Sequence, residues 1–297
     1  MSGKSRLFQC VPNFSEGQRP EVIEKIACSI QEAGADLRDY SADADHNRCV
    51  MTILGDEDTI YRAVMASSQV AVREINLQTH QGVHPRTGAI DVVPVVPLCG
   101  ATIDDAITLA DRIAQGLAGE LNLPVFLYEK SAKEGREMAL PMWRRGRYKA
   151  FSPDYGPSEI SAKSGIVIVG AREPLIAYNI NLKTQDVKIA KAIARMIREE
   201  RDTNSNLEGV RSLGLYLPTA KKAQVSMNLT RPEKTPLPYL FDFIKALALH
   251  AEVEVEESEI IGVLPPYALA GESPERILWH TYKPTQILSS EEFGNNA

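Results

Sequence analysis

Two histidines four positions apart, His80 and His84, are the first residues with chemistry to offer. They stand in the run Thr79-His80-Gln81-Gly82-Val83-His84-Pro85-Arg86-Thr87-Gly88. On a helix that spacing would put two imidazoles on one face, the arrangement of a metal-binding pair. Gly82 between them, Pro85 after the second and Gly88 at the close predict a turn instead. A residue before proline is driven toward extended geometry, so His84 is expected on a tight loop at the mouth of a strand. An imidazole held there can accept a proton and return it, its unperturbed pKa being about 6.5. His80 stands nearer the end of the preceding helix, where a histidine serves as a favourable C-terminal charge. Composition alone does not distinguish a catalytic loop histidine from an ordinary hydrogen-bonded one.

Other chemistries compete for the same residues. His46, His80 and His84 with Asp43, Asp45 and Asp91 offer enough donors for a zinc ion. Their spacing repeats no metal motif, and no metal is expected. Cys10, Cys28, Cys49 and Cys99 are scattered through apolar stretches and read as small buried hydrophobes of a reducing compartment. No glycine-rich phosphate cradle follows a strand, which disfavours a nucleotide-driven reaction. A net charge of −6 argues against nucleic acid, so an anionic small substrate needs a local basic pocket. No apolar run approaches the roughly 20 residues that cross a bilayer. The first residues carry no apolar secretory core, and the expectation is a cytoplasmic protein without membrane contact.

The elements that must position these groups follow from hydrophobic period. Of the 297 residues, 44 % are hydrophobic and 24 % charged, which are globular values. A strand over 7–11 is stopped by Pro12, and a helix begins at Pro20 with Ile23, Ile26, Ala27 and Ile30 in register. Strands over 37–41 and 49–54 form a hairpin, a helix covers 58–76, and a strand covers 90–96. That is β-α-β-β-α-β, the ferredoxin-like pattern. A helix over 103–121, a strand over 123–128 and a strand over 165–170 extend it. Between the last two, 134–149 is polar and basic and holds Trp143-Arg144-Arg145-Gly146-Arg147-Tyr148. It reads as a solvated face with one anchoring Trp, or as a basic rim for an anionic tail. From Pro174 the same β-α-β-β-α-β order recurs, predicting domains over 1–173 and 174–297. The fold class is α/β (α+β): two ferredoxin-like subdomains whose bare sheet faces stack around a ligand groove.

Four motifs in one order carry a family resemblance over nearly the whole chain. They are Val11-Pro12-Asn13-Phe14-Ser15-Glu16-Gly17, then Asp43-Ala44-Asp45-His46-Asn47-Arg48. The third is His84-Pro85-Arg86 with the exit Asp91-Val92-Val93-Pro94. The fourth is Gly156-Pro157-Ser158-Glu159-Ile160-Ser161-Ala162-Lys163-Ser164-Gly165. The chain resembles the formiminotransferase family, the folate-dependent glutamate formimidoyltransferases of histidine breakdown.

The resemblance implies two subdomains with facing sheets and folate in a passage between them. It makes His84 the catalytic residue and Gly156–Gly165 the folate-binding segment, with Asn13, Asn47, Arg48 and Arg86 in support. The second motif is also ordinary turn chemistry, since Asp and Asn bond their own backbone in such turns. The implied reaction moves a formimino group from N-formimino-L-glutamate to N5 of tetrahydrofolate. Tetrahydrofolate is a co-substrate, and no metal or redox cofactor is needed. Other readings are another folate one-carbon enzyme, such as an ATP-dependent 5-formyltetrahydrofolate cyclo-ligase, or a non-catalytic folate-binding protein. A homodimer and a cyclodeaminase partner stay open. Two departures bear on donor specificity: Ser164 stands where members often carry tryptophan, and Gln81-Gly82-Val83 where they often carry lysine-glycine-glutamate.

Overall fold

The computed structural model describes residues 6–82, 86–136 and 140–294. The chain divides into two units, Met1–Glu173 and Pro174–Ala297. In the first, β1 (Phe8–Cys10) and β2 (Asn13–Phe14) are followed by α1 (Pro20–Glu32), β3 (Asp36–Asp43) and β4 (Arg48–Gly55). Then come α2 (Glu57–Glu74), β5 (Ile90–Pro97), α3 (Ile103–Leu121), β6 (Val125–Leu127), α4 (Leu140–Arg144) and β7 (Val167–Ala171). β1 and β2 both lie between β4 and β5, so they are two pieces of one strand. Pro12 was expected to stop that strand. It only interrupts it: proline lacks the N–H, but its carbonyl still accepts from the Met51 amide at 3.0 Å.

The sheet runs β3, β4, β1/β2, β5, β7, β6. Its first four positions are antiparallel and keep the strand order of a ferredoxin-like unit, while β7 joins β5, and β6 joins β7, in parallel. The second unit holds β8 (Ile176–Leu182), α5 (Val187–Glu200), β9 (Val210–Leu217), β10 (Lys222–Leu229), α6 (Leu237–His250) and β11 (Val255–Ile261). Its sheet order is β11, β8, β10, β9, all antiparallel. Residues beyond β11 add short turns of helix ending in α7 (Ser290–Phe293) and bring Trp279 into the core of this unit.

Helices α1, α2 and α3 pack on one face of the first sheet, over Cys49, Met51, Ile53, Val93, Val95 and Val169. The buried stripe of α2 is made largely of small residues. Val70 and Val72 are half-buried, and the contact is made by Ile60, Ala63, Val64, Ser67, Ser68 and Ala71. Small residues let neighbouring helices approach closely, and the Ser67 hydroxyl is satisfied within its own helix, donating to the Ala63 carbonyl at 2.7 Å.

The opposite face is not bare. Val92, Phe126, Tyr128, Ile166 and Ile168 form a second apolar cluster there, closed by Trp143 with Leu140, Tyr148 and Phe151. Within 134–149 the one anchoring Trp of the solvated-face reading is Trp143, which is 0 % exposed with its ring 5.4 Å from that of Phe126. Arg145, Arg147 and Lys149 face water, while α4 turns the indole inward. Truncating a buried Trp costs about 3–5 kcal/mol. Trp143→Ala is expected to lower stability in urea by that amount. Met142→Ala, one position along on the exposed side, should cost under about 0.5 kcal/mol.

Candidate active site

Three loops meet at the end of the β3–β4 hairpin, and Asn47 ties them together. Its side-chain oxygen accepts from the Gly17 amide at 2.8 Å, and its side-chain nitrogen donates to the Gln81 carbonyl at 2.7 Å. Its own carbonyl accepts from His80 Nε2 at 2.9 Å. Asn47 is buried and sits at φ 47°, a left-handed geometry that Asn tolerates better than most residues. The approach is close enough to require glycine on both partners. A Cβ at Gly17 would lie 2.2 Å from the Asp43 carbonyl oxygen, and one at Gly82 2.5 Å from that of His46.

The loop carrying the two histidines is thus clamped at its entry. Val83, His84 and Pro85 lie outside the described residues, but both flanks are placed. Arg86 reaches back from the far side and donates to the His80 carbonyl at 2.6 Å. The exit is tied to the first motif: the Ser15 hydroxyl donates to the Gly88 carbonyl at 2.7 Å, and its amide to the Ala89 carbonyl at 3.0 Å. Asn13 lies between Val50 and Val92 on the sheet, its amide group donating to the Val11 carbonyl.

The segment Gly156–Gly165 joins this assembly by its second half. The carbonyl of Lys163 accepts from Leu77, that of Ser164 accepts from Ala89, and the Thr87 carbonyl accepts from Ile166. Lys163 Nζ donates to the Arg73 carbonyl at 3.2 Å, satisfying the end of α2. Ser158 to Lys163 stay exposed, and so does Gly156, where an added Cβ would lie 2.2 Å from the Leu123 carbonyl oxygen.

Asp91 owes its position to a bulge. Between Phe14 and Asn13 on β2, β5 advances from Ile90 to Val92, so Asp91 is one residue too many. Such a residue is re-aimed, and its carboxylate meets Arg144, arriving with Trp143 from α4. Arg144 Nε and Nη2 donate to Asp91 Oδ2 at 2.9 and 2.5 Å, while Thr87 N and Oγ1 donate to Oδ1 at 2.9 and 3.0 Å. The pair is nearly dry, with side chains 1 % and 13 % exposed. The sequence offers Asp91 as a metal-ligand candidate and as the start of the third motif's exit, and Arg144 as part of a basic run, but does not pair them. The bulge left no mark in the residue types. Among the described residues no three His, Cys, Asp or Glu side chains gather as a metal site.

His80 also departs from expectation. α2 ends at Glu74, so His80 is no helix-terminal charge. Its Nε2 proton goes to Asn47, leaving Nδ1 a bare acceptor, buried and without a hydrogen-bond partner among the described residues. Burial pushes its pKa below 6.5, against the bond to Asn47, which raises it. On the hairpin turn, His46 Nδ1 pairs with Asp43 at 2.7 Å and holds that carboxyl at about 2. A cleft of about 330 Å³ opens beside the clamp, lined by Glu16, Arg19, Asn47, Glu74, Thr79 and His80.

Comparison with known proteins shows the family. The family described as the formiminotransferase domain, N-terminal subdomain, matches residues 7–172, and that described as the formiminotransferase domain matches 177–273. The chain belongs to the formiminotransferase family. It is 37 % identical over 275 residues to a glutamate formimidoyltransferase of Streptococcus pyogenes serotype M1, covering 89 % of this chain and 91 % of that protein. A glutamate formimidoyltransferase of Thermoplasma acidophilum is 35 % identical over 275 residues, with 89 % of each chain covered. The formimidoyltransferase-cyclodeaminase of Rattus norvegicus is 36 % identical over 278 residues, and the chain spans 51 % of its length. No described helix of this formiminotransferase chain is long and apolar enough to cross a membrane.

The neutral His80 makes a sign-definite prediction. A histidine whose folded pKa lies below its unfolded value adds stability that is complete above the unfolded pKa of about 6.5. That stability is lost as the pH falls from there through the folded value. Gln at position 80 keeps an N–H for the Asn47 carbonyl and does not titrate. The melting-temperature advantage of wild type over His80→Gln should therefore shrink between pH 7.5 and 5. An advantage that grows on acidification would mean His80 is held as the cation.

Proposed function

We propose that this transferase moves the formimino group of N-formimino-L-glutamate to N5 of tetrahydrofolate, releasing glutamate and 5-formiminotetrahydrofolate. The observation that carries the reading is the clamp around Asn47. It fixes the entry to the loop holding His84-Pro85-Arg86, in a chain 37 % identical to a glutamate formimidoyltransferase. The folate segment Gly156–Gly165 runs along the exit of the same loop. The setting is histidine breakdown in the cytoplasm, with a cyclodeaminase, the second activity in the animal relatives' name, as the next catalyst.

The chemistry asks little of the protein beyond position and one proton carrier. N5 attacks the amidine carbon, a tetrahedral intermediate forms, and the C–N bond to glutamate breaks as that nitrogen takes up a proton. The proton given up by N5 is the one the leaving nitrogen needs. His84 serves as the carrier, accepting it in the first step and returning it in the second. Arg86 and Asn47 hold the loop so that the imidazole meets both nitrogens in turn. The exposed Arg145, Arg147 and Lys149 supply a basic rim for the anionic folate tail.

General acid–base catalysis by one side chain contributes about 10²–10⁴-fold in rate. In an assay with formiminoglutamate and tetrahydrofolate, and without ATP, His84→Ala should lose turnover within that range and keep folate affinity within a few fold. Near-normal turnover by His84→Ala, or a loss that merely follows folate binding, would exclude His84 as the carrier. Turnover of 5-formyltetrahydrofolate with ATP hydrolysis would replace the reaction itself.

A further inference from the structure

The two sheets end in the edge strands β3, β6, β9 and β11, and three of these are guarded against pairing. β3 carries Asp36, Arg38, Asp39 and Asp43, and its register shifts between Leu37 and Asp39. β6 is three residues long and covered: Val125 bonds Asp154 and Tyr155 through its backbone, and the Leu127 amide donates to the Asp154 carboxylate. β11 holds Glu256, Glu257 and Glu259, shifts register after Val255, and gives its Ser258 amide to the Leu278 carbonyl. Charge, shortness, bulges and cover are how proteins keep a row of unpaired N–H and C=O groups from meeting another strand.

The fourth edge differs. β9 runs for eight residues in unbroken register with β10. From Ser212 to Leu217 it has no charged residue and no proline. No described strand lies on its outer side. Arg198 of α5 covers one carbonyl, that of Ser212, at 2.7 Å. Val210 enters the core and the Ser212 hydroxyl bonds the Ala194 carbonyl of α5, so alternation turns Leu213 and Leu215 to the helix-free face. Leu213 is 63 % exposed and Tyr216 41 %.

The same features select the occupant. A run without charge gives a foreign partner nothing to recognise by sign, but it matches itself. A two-fold axis at Gly214 lays the strand antiparallel to its own copy and sets Leu213 opposite the partner's Leu215, once on each side of the axis. Such an isologous contact closes with two copies. Two chains of net charge −6 repel, and most strongly where β3 and β11 carry their acids. β9 carries no acid, so the copies meet where repulsion is least.

We propose that β9 is the contact surface of a homodimer, pairing antiparallel with β9 of a second copy around Gly214. The pairing joins two four-stranded sheets into one and withdraws Leu213 and Leu215 from water as cross-strand pairs. It stands independently of the reaction assigned to the chain.

Sedimentation equilibrium of the full chain tests it, together with amide hydrogen exchange. Wild type should be a dimer, with exchange over 210–217 slowing as protein concentration rises. Leu213→Lys/Leu215→Lys sets lysine opposite lysine on both sides of the axis and should weaken the dimer at least about tenfold. Leu213→Glu/Leu215→Lys sets opposite charges there and should recover at least half of that loss on a logarithmic scale. Each variant should keep the far-UV dichroism of wild type. Where the double lysine variant does not, Leu213→Lys alone, at the exposed position, replaces it and should still weaken the dimer. A wild type that stays monomeric, with exchange over 210–217 indifferent to concentration, overturns the proposal. So does a dimer that Leu213→Lys/Leu215→Lys leaves unchanged, since its interface lies elsewhere. A Leu213→Glu/Leu215→Lys dimer as weak as the double lysine one overturns the pairing around Gly214.

Discussion

One asparagine turns three loops into a single rigid object. Asn47 accepts from Gly17, donates to Gln81 and receives His80 on its carbonyl, so the start of the chain, a hairpin turn and the His84 loop share one centre. Each bond is worth only about 0.5–1.5 kcal/mol net. Their importance lies in what their absence would leave: a buried amide with unmet polar groups and two glycine-tight contacts with no reason to persist. Loops bearing catalytic groups move unless the scaffold holds both ends, and catalysis of transfer between two small molecules depends on orientation above all. The clamp answers that need with backbone carbonyls, which cannot swing away as long side chains do.

Asp91 and Arg144 do the corresponding work on the sheet. A buried ion pair is weak evidence for stability, since desolvation offsets much of the attraction, yet removing one partner strands a charge at about 3–5 kcal/mol. The pair therefore fixes an arrangement more than it strengthens the fold. It joins the bulge in β5 to α4, and through Trp143 to the apolar cluster over β5, β6 and β7. The same carboxylate holds the Thr87 amide, so the exit of the His84 loop is pinned to this corner.

Residue periodicity made most of the architecture legible. Ile23, Ile26 and Ile30 recur at helical spacing and are buried, and both β-α-β-β-α-β orders stand as read. The gathering of Asn47 with the His84 loop was suggested only by family resemblance, because contacts over thirty positions leave no trace in local spacing. Two features were not legible for identifiable reasons. Pro12 hides a continuing strand because its carbonyl still pairs. The bulge at Asp91 depends on register between β2 and β5, which no single strand encodes. Trp143, by contrast, was legible as the single anchor among cations that do face water, because an indole in a charged run has few reasons to stay exposed.

The two units share a strand order but not a surface chemistry. In the first, the helix-free face is apolar over β5, β7 and β6 and charged around Arg48. In the second, the face away from the helices presents Asn179, Asn181 and Gln224 beside the acidic side chains of β11. Gln224 donates to Asn181 at 2.9 Å, Asn181 to Glu257 at 3.1 Å, and Asn179 to Glu259 at 3.2 Å. Asn181 and Gln224 are buried, and amides buried without partners would each cost about 1–3 kcal/mol. Bonding one another across the strands removes that penalty and orders the donors and acceptors in a row. An apolar face would serve stability better at lower risk, as the opposite side of the same sheet does with Tyr178, Ile180 and Val225. A polar face held in register is useful where hydrogen bonds to something else must be directional. The repeat therefore keeps one frame of strands and helices, while the two helix-free faces differ in chemistry.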